Sequence, residues 1–210
     1  ESQTEGKGQR GSGWTSEAGK NLAFSVLYNK KIEEITNLFT LNIIVALSVV
    51  ESLKTVCNLN FAIKWPNDIL AENKKIAGIL IENTFKNQNE VQSIIGIGLN
   101  VNQSQFENLP QASSLFLLEN QLFDRNALLI SIVNRLEFNL NQLENLKEDY
   151  FWNTYHAILF KKEVVSTFES ALGNRFVGKI QKVTKDGKLE VLLEDDSVTF
   201  FDVKEVKMLY

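Results

Sequence analysis

Apolar and polar residues alternate along this chain with two different rhythms. Over residues 36–56, apolar side chains recur at Leu38, Phe39, Ile43, Leu47, Val50 and Leu53, which is helical spacing. They occupy nearly the whole circumference, so this helix is expected to be buried. Strand patterns lie on either side of it. Residues 20–28 form a strand with one apolar face, and 60–65 form a short strand that stops at Pro66. Residues 68–70 and 75–82 pair across a turn at Glu72-Asn73-Lys74. A buried strand over 93–101 carries Ile94, Ile95, Ile97 and Leu99 and is broken by Gly96 and Gly98. Glycine inside a strand often marks the close approach of backbone or ligand.

Asp124 caps a long helix that reaches about residue 144, with Leu129, Ile132, Val133, Leu136, Leu140 and Leu143 on one face. A shorter helix covers 148–159. After Lys162 the rhythm changes to short strands at 164–168, 176–183, 189–193, 198–202 and 206–209, with a hairpin turn at Lys185-Asp186-Gly187-Lys188. Five such strands in so short a span suggest a small barrel. The two rhythms divide the chain into a larger domain over 1–162 and a smaller one over 163–210. No internal repeat is visible.

Composition narrows the function classes. The 210 residues suffice for one moderate domain and a small one, and a net charge of −4 argues against a broad nucleic-acid surface. Cys57 is the single cysteine, so no internal disulfide can form and a reducing cytoplasm suits the chain. With one histidine besides, a zinc site is excluded. The longest apolar run, 43–50, is interrupted by Ser48 and is far short of a membrane span. The chain starts with Glu and passes at once into a glycine loop, so an N-terminal segment is expected to be missing from it.

That loop is Gln3-Thr4-Glu5-Gly6-Lys7-Gly8-Gln9-Arg10-Gly11-Ser12-Gly13-Trp14. Bare backbone can wrap a ligand closely with its amides turned inward, and Lys7 and Arg10 add charge suited to an anion. On composition alone a flexible linker is the favoured reading, but the loop runs directly into a strand, as binding loops do. Lys64-Trp65-Pro66-Asn67-Asp68 follows a strand, and its proline presents Asn67 and Asp68 at the strand end. Taken alone it is an Asx turn. Lys75 opens Lys75-Ile76-Ala77-Gly78-Ile79-Leu80, and Gly96-Ile97-Gly98-Leu99-Asn100 follows. His156, Trp152, Tyr155, Lys161-Lys162 and Glu194-Asp195-Asp196 read as structural or solvated.

In order and spacing, these four segments together resemble the biotin protein ligases. The resemblance implies an α/β (α+β) catalytic domain related to class II aminoacyl-tRNA synthetases and lipoate ligases, with a mixed sheet and flanking helices. A small Src-homology-like β-barrel follows. It also implies a two-step reaction. Biotin's carboxylate attacks the α-phosphate of MgATP to give biotinyl-5′-AMP, and a carrier-protein lysine then takes the acyl group. Gln3, Gly6, Lys7, Gly8, Gln9, Lys75 and Gly78 fall on the biotin side. Arg10, Trp14, Lys64, Asn67, Asp68, Gly98 and Asn100 fall on the nucleotide side. Lys75, Lys7 and Arg10 would carry the chemistry, with Lys75 bridging the carboxyl group and the α-phosphate. Trp14 would pack on adenine once the loop closes, Gly78 and Gly98 would leave room for the ligand, and Asp68 would stand near Mg2+. The implied partner is the biotin carboxyl-carrier domain of acetyl-CoA carboxylase or a related carboxylase. Neither DNA nor membrane is implied, and a homodimer is left open. The sequence departs from the family in two places: Gln9 stands where many members carry Arg, and the family's Ser-Thr-Asn segment is absent. A lipoate or octanoate ligase, and a noncatalytic sensor of biotin or nucleotide, are the competing readings.

Overall fold

The computed structural model describes residues 3, 5–11, 13–31, 38–86, 90–143 and 148–210. The glycine loop opens it as a small antiparallel ribbon, β1 (Gly6–Lys7) against β2 (Gly13–Trp14), closed by a 3-10 turn at Gln9–Gly11. Strand β3 (Leu22–Lys31) leads to helix α1 (Leu38–Leu53). Four strands follow: β4 (Phe61–Lys64), β5 (Asp68–Ala71), β6 (Lys74–Lys86) and β7 (Glu90–Leu99). Glu72 and Asn73 have φ of 48° and 63°, the left-handed pair that a two-residue hairpin turn needs. Together with β3 these strands form one sheet in the order β3-β7-β6-β5-β4.

Connections of a few residues leave room only for antiparallel neighbours. The expected mixed sheet is therefore corrected: every described strand pairing is antiparallel. Parallel contact in this part is confined to isolated bridges, Ile63 with Leu159 and Lys75 with Ala112. Gly96 and Gly98 do not break β7, because it lies between β3 and β6 and is paired on both sides.

Alternation gives the sheet two unlike faces. Leu22, Ala77, Ile79, Ile95, Ile97 and Leu99 point into the core, where α1 lies. Ile43, Ile44 and Val49 of α1 are 0% exposed, as expected of a helix apolar all round. Helices α2 (Leu115–Glu119), α3 (Arg125–Leu143) and α4 (Glu148–Ala157) follow, and α3 and α4 cover the rest of α1. Asp124 Oδ1 accepts from the amides of Asn126 and Ala127 at 2.8 and 3.2 Å, the expected cap. The buried side of α3 starts at Leu128 rather than Leu129, and its expected end at 144 lies outside the described residues. Helix α2 was not foreseen, although Ser114 caps it and Asn120 ends it at φ 53°. Among the described residues no helix is long and apolar enough to cross a membrane.

Strands β8 (Val165–Ser170), β9 (Arg175–Val183), β10 (Leu189–Leu193), β11 (Val198–Phe201) and β12 (Val206–Leu209) form a second antiparallel sheet, ordered β11-β10-β9-β8-β12. Contacts among the described residues tie it to the first sheet and its helices. Trp65 Nε1 donates to Gly187 O at 2.9 Å, Gln111 Nε2 donates to Tyr210 O at 2.7 Å, and His156 Nε2 lies 3.1 Å from Val183 N. His156 is thus structural, as expected. Desolvation, the largest influence, lowers its pKa below the ordinary 6.5 and outweighs the contact of Nε2 with Val183 O at 3.0 Å, which favours the charged ring, so the neutral ring that accepts from Val183 N is favoured. The unfolded chain then takes up the extra proton as pH drops below about 6.5, and the stability from the neutral ring is lost as pH falls through the lower folded value. Melting temperature should fall between pH 7.5 and 5.5, and fall less in His156→Gln. Equal slopes in the two proteins would reject this coupling.

Candidate active site

The second face of the first sheet is nearly bare. One register row crosses all five strands: Ala23 on β3, Gly98 on β7, Gly78 on β6, Asp68 on β5 and Lys64 on β4. The next row holds Ser25, Gly96 and Leu80. Small residues at one end and charges at the other make a shelf with a polar edge. The glycine ribbon lies over this shelf and borders a half-open cavity of about 850 Å³.

Simple alternation would put Lys75 on the buried face with Ala77 and Ile79. Instead Leu70 pairs with Lys75 while Ile69 pairs with Ala77, so Ile76 is an extra residue in β6. Such a bulge re-aims the side chains on one side of it. Lys75 therefore reaches the cavity, 2.6 Å from Asp68 Oδ1 and 5.8 Å above the Trp14 ring. The 111–113 segment clamps the bulge: Lys75 N donates to Gln111 O at 2.7 Å, and Ser113 N donates to Lys75 O at 2.9 Å.

Asp68 joins the two lysines, because Lys64 Nζ lies 3.6 Å from its Oδ2. Side-chain exposures of 20% for Lys64 and 16% for Asp68 make this a shielded ion cluster. Desolvation lowers the pKa of Lys64, the positive charges of Lys75 and Lys207 push it the same way, and Asp68 opposes them. Asp68 is also the residue expected to stand near Mg2+. An ammonium faces each of its oxygens, and among the described residues no three His, Cys, Asp or Glu side chains cluster for a metal. Asn67 lines the cavity but uses its amide to hold β6: Nδ2 donates to Ile79 O at 2.6 Å, and Ile79 N returns a bond to Asn67 O at 3.0 Å.

Trp14 lies where open space was expected. A Cβ on Gly98 would stand 2.6 Å from Trp14 Cε2, and one on Gly78 would stand 3.3 Å from Cζ3. The two glycines make room, but the indole fills it. Trp14 Nε1 is buried without a partner among the described residues. Gly6 has no space for a side chain either, because a Cβ there would collide with Trp14 O across the ribbon. Gln3, Lys7, Gly8 and Gln9 line the cavity, whereas Gly6 does not. Arg10 belongs to the 3-10 turn, and its side chain lies outside the described residues.

Asn100 is outside the cavity lining and only 4% exposed. Its main-chain N–H donates to Ile76 O at 2.8 Å and its Nδ2 donates to Ser113 O at 3.0 Å, so it grips the bulge that aims Lys75. Its Oδ1 has no partner among the described residues. Cys57 is no hidden nucleophile, since burial, aided by Glu119, pushes its thiol up to about 11. The sequence reading missed the second wall: Phe168, Glu169, Val206, Lys207 and Met208 of the C-terminal sheet line the same cavity. No local motif marks them, because the two sheets meet only in the folded chain.

These features define an α/β domain that can hold an anionic ligand between a bare sheet and a glycine ribbon. Known proteins share the fold. Residues 1–100 match the Biotin/lipoate A/B protein ligase family. A solved biotin protein ligase from Aquifex aeolicus, in complex with biotin and ATP, superposes with a TM-score of 0.81 at 27% identity, covering 99% of this chain and 85% of that one. The bifunctional ligase/repressor BirA of Bacillus spizizenii is 28% identical over 214 residues, 99% of this chain and 62% of that protein. The biotin–[acetyl-CoA-carboxylase] ligase of Mycobacterium tuberculosis is 33% identical over 148 residues, 69% of this chain and 54% of that one. The chain thus spans less than two thirds of the length of these two relatives. Over its first 100 residues it is similar to the biotin/lipoate protein ligase family.

Proposed function

We propose that this chain is a biotin protein ligase. The observation that carries the reading is the Lys64–Asp68–Lys75 cluster at the edge of a glycine shelf, beneath a basic glycine ribbon. A carboxylate is a poor acyl donor because oxide would have to leave. In the first step a biotin carboxylate oxygen attacks the α-phosphorus of ATP, the bond to the β-phosphate oxygen breaks, and pyrophosphate departs. In the second, a lysine amine of the carrier domain attacks the acyl carbon, the bond to the phosphate oxygen breaks with AMP leaving, and the amine loses a proton.

The first step brings two anions together. At ~4 Å two unit charges repel by about 1 kcal/mol in water and about 4 kcal/mol near a protein surface. Lys75 sits where one ammonium can touch both and stabilise the charge that grows at phosphorus. Asp68 orients Lys75 and Lys64, and Asn100 acts through the bulge. Lys7 and the amides around Gly8 and Gln9 enclose the ligand and keep water from the anhydride. Residues 1–162 act as the catalytic domain. The small sheet over 163–210, read as a Src-homology-like barrel, completes the site wall.

The test is to incubate the chain with biotin, MgATP and a carboxyl-carrier domain. Biotinyl-AMP and one labelled lysine are expected, and the absence of both would end the reading. The matched family also includes lipoate ligases. Lipoate added in competition should not slow labelling. If lipoate is transferred instead, the acyl substrate is the other one.

A further inference from the structure

The Trp14 indole rests on Gly78 and Gly98 by apolar contact, which sets a distance but no direction. The chain between Trp14 and β3 can supply the direction. Three residues beyond Trp14, Glu17 N donates to Gln103 Oε1 at 3.1 Å. A turn follows, closed by Lys20 N donating to Glu17 O at 3.2 Å, with Gly19 at φ 70°. Asn102 N holds its far end by donating to Lys20 O at 2.9 Å. Asn21 then reaches back: its Nδ2 donates to the same Gln103 oxygen, and its Oδ1 accepts from Val101 N at 3.0 Å. The foot of the ribbon is thus bound to residues 101–103.

This anchor is built from buried polar groups. Gln103 is 7% exposed and Asn21 9%. Burying an amide costs free energy unless it is paired, a demand that an apolar side chain would not make. Both ends of the Gln103 amide are paired, since its Nε2 donates to Gln105 O at 2.6 Å. Its main-chain oxygen accepts from Ser114 Oγ at 2.6 Å. A buried network so satisfied fixes one arrangement. Here it fixes the ribbon relative to Lys75, because Asn100 in the same segment grips the β6 bulge. Residues 100–103 hold the bulge at one end and the ribbon at the other.

Resting on the ligase reading, we infer that Gln103 is a positioning residue: its side-chain oxygen fixes the foot of the glycine ribbon over the shelf. Lys7 and the ribbon amides then stay in place above the adenylate, and water stays out between the two steps. Without that oxygen, Glu17 N and Asn21 Nδ2 lose their shared acceptor, and the ribbon opens about tenfold more often.

Hydrogen exchange at the amides of Gly6, Lys7, Gly13 and Trp14, read by NMR on the full ligand-free chain, tests the assignment. Gln103→Met should speed it about tenfold and change exchange in α1 and β7 by less than about twofold. Gln103→Glu keeps the acceptor oxygen and should recover part of the protection. Asn102→Ala cuts the bonds of the same segment to Phe123, at 2.9 and 3.0 Å, and should leave the ribbon like the parent's. With biotin and MgATP but no carrier domain, Gln103→Met should release AMP about tenfold faster, while forming the adenylate within about threefold of the parent rate. Ribbon exchange unchanged in Gln103→Met, or raised equally in Asn102→Ala, overturns the inference. So does AMP release no faster than that of a parent that makes adenylate. A parent that makes none, with ribbon exchange raised in Gln103→Met, would end the ligase reading and leave the anchor standing.

Discussion

Lys75→Ala should slow formation of the biotinyl adenylate by about 10²-fold or more. The ammonium is 2.6 Å from Asp68 Oδ1, on the cavity side of a strand whose regular alternation would have buried it. Removing it leaves two anions to meet with less compensation and frees Asp68 to repel the incoming carboxylate. The loss belongs to the transition state, so kcat for adenylation should carry more of it than the KM for biotin. A single-turnover assay that follows pyrophosphate release measures it directly. Lys75→Arg is expected to recover only part of the rate, since a planar guanidinium does not reproduce a point charge between two oxygens. A rate for Lys75→Ala within about threefold of the parent would remove Lys75 from the chemistry.

Gly98→Ala is the second change with a large expected effect. One added methyl would stand 2.6 Å from Trp14 Cε2 and 2.8 Å from Cζ2, so the indole must leave its seat. The strand is paired on both sides and cannot yield easily. The ribbon moves instead, and Lys7 moves with it. Misplacing a binding element by about 1 Å can cost on the order of 10²-fold in rate. Adenylation should drop by about that factor, with tryptophan emission shifted and the melting temperature little changed. The cause can be isolated with a double-mutant cycle. If the contact carries the effect, adding Gly98→Ala to Trp14→Ala should cost little. Full additivity would show that Gly98 matters for another reason.

Much of the site was legible in the residues because its parts are local. The ribbon announces itself through Gly6, Gly8, Gly11 and Gly13 with Lys7 between them. Lys64-Trp65-Pro66-Asn67-Asp68 reads as a strand end, and the hairpin at Glu72-Asn73 follows from turn chemistry. The apolar circumference of α1 and the cap at Asp124 likewise depend on neighbours a few residues away.

The rest depends on register and on contacts between distant segments. Pattern alone cannot reveal that Ala23, Gly98, Gly78, Asp68 and Lys64 share one row, because strand order is set by which hairpins pack together. Nor does it reveal that Ile76 bulges, since one extra residue in a pairing is defined by the partner strand. Trp14 had to be seen on its glycine seat, and Phe168, Val206 and Lys207 in the cavity lining, before any of them could be given a place. Local preferences are written in spacing and side-chain type. Faces, rows and walls exist only after the chain has folded back on itself and buried one side of its sheet.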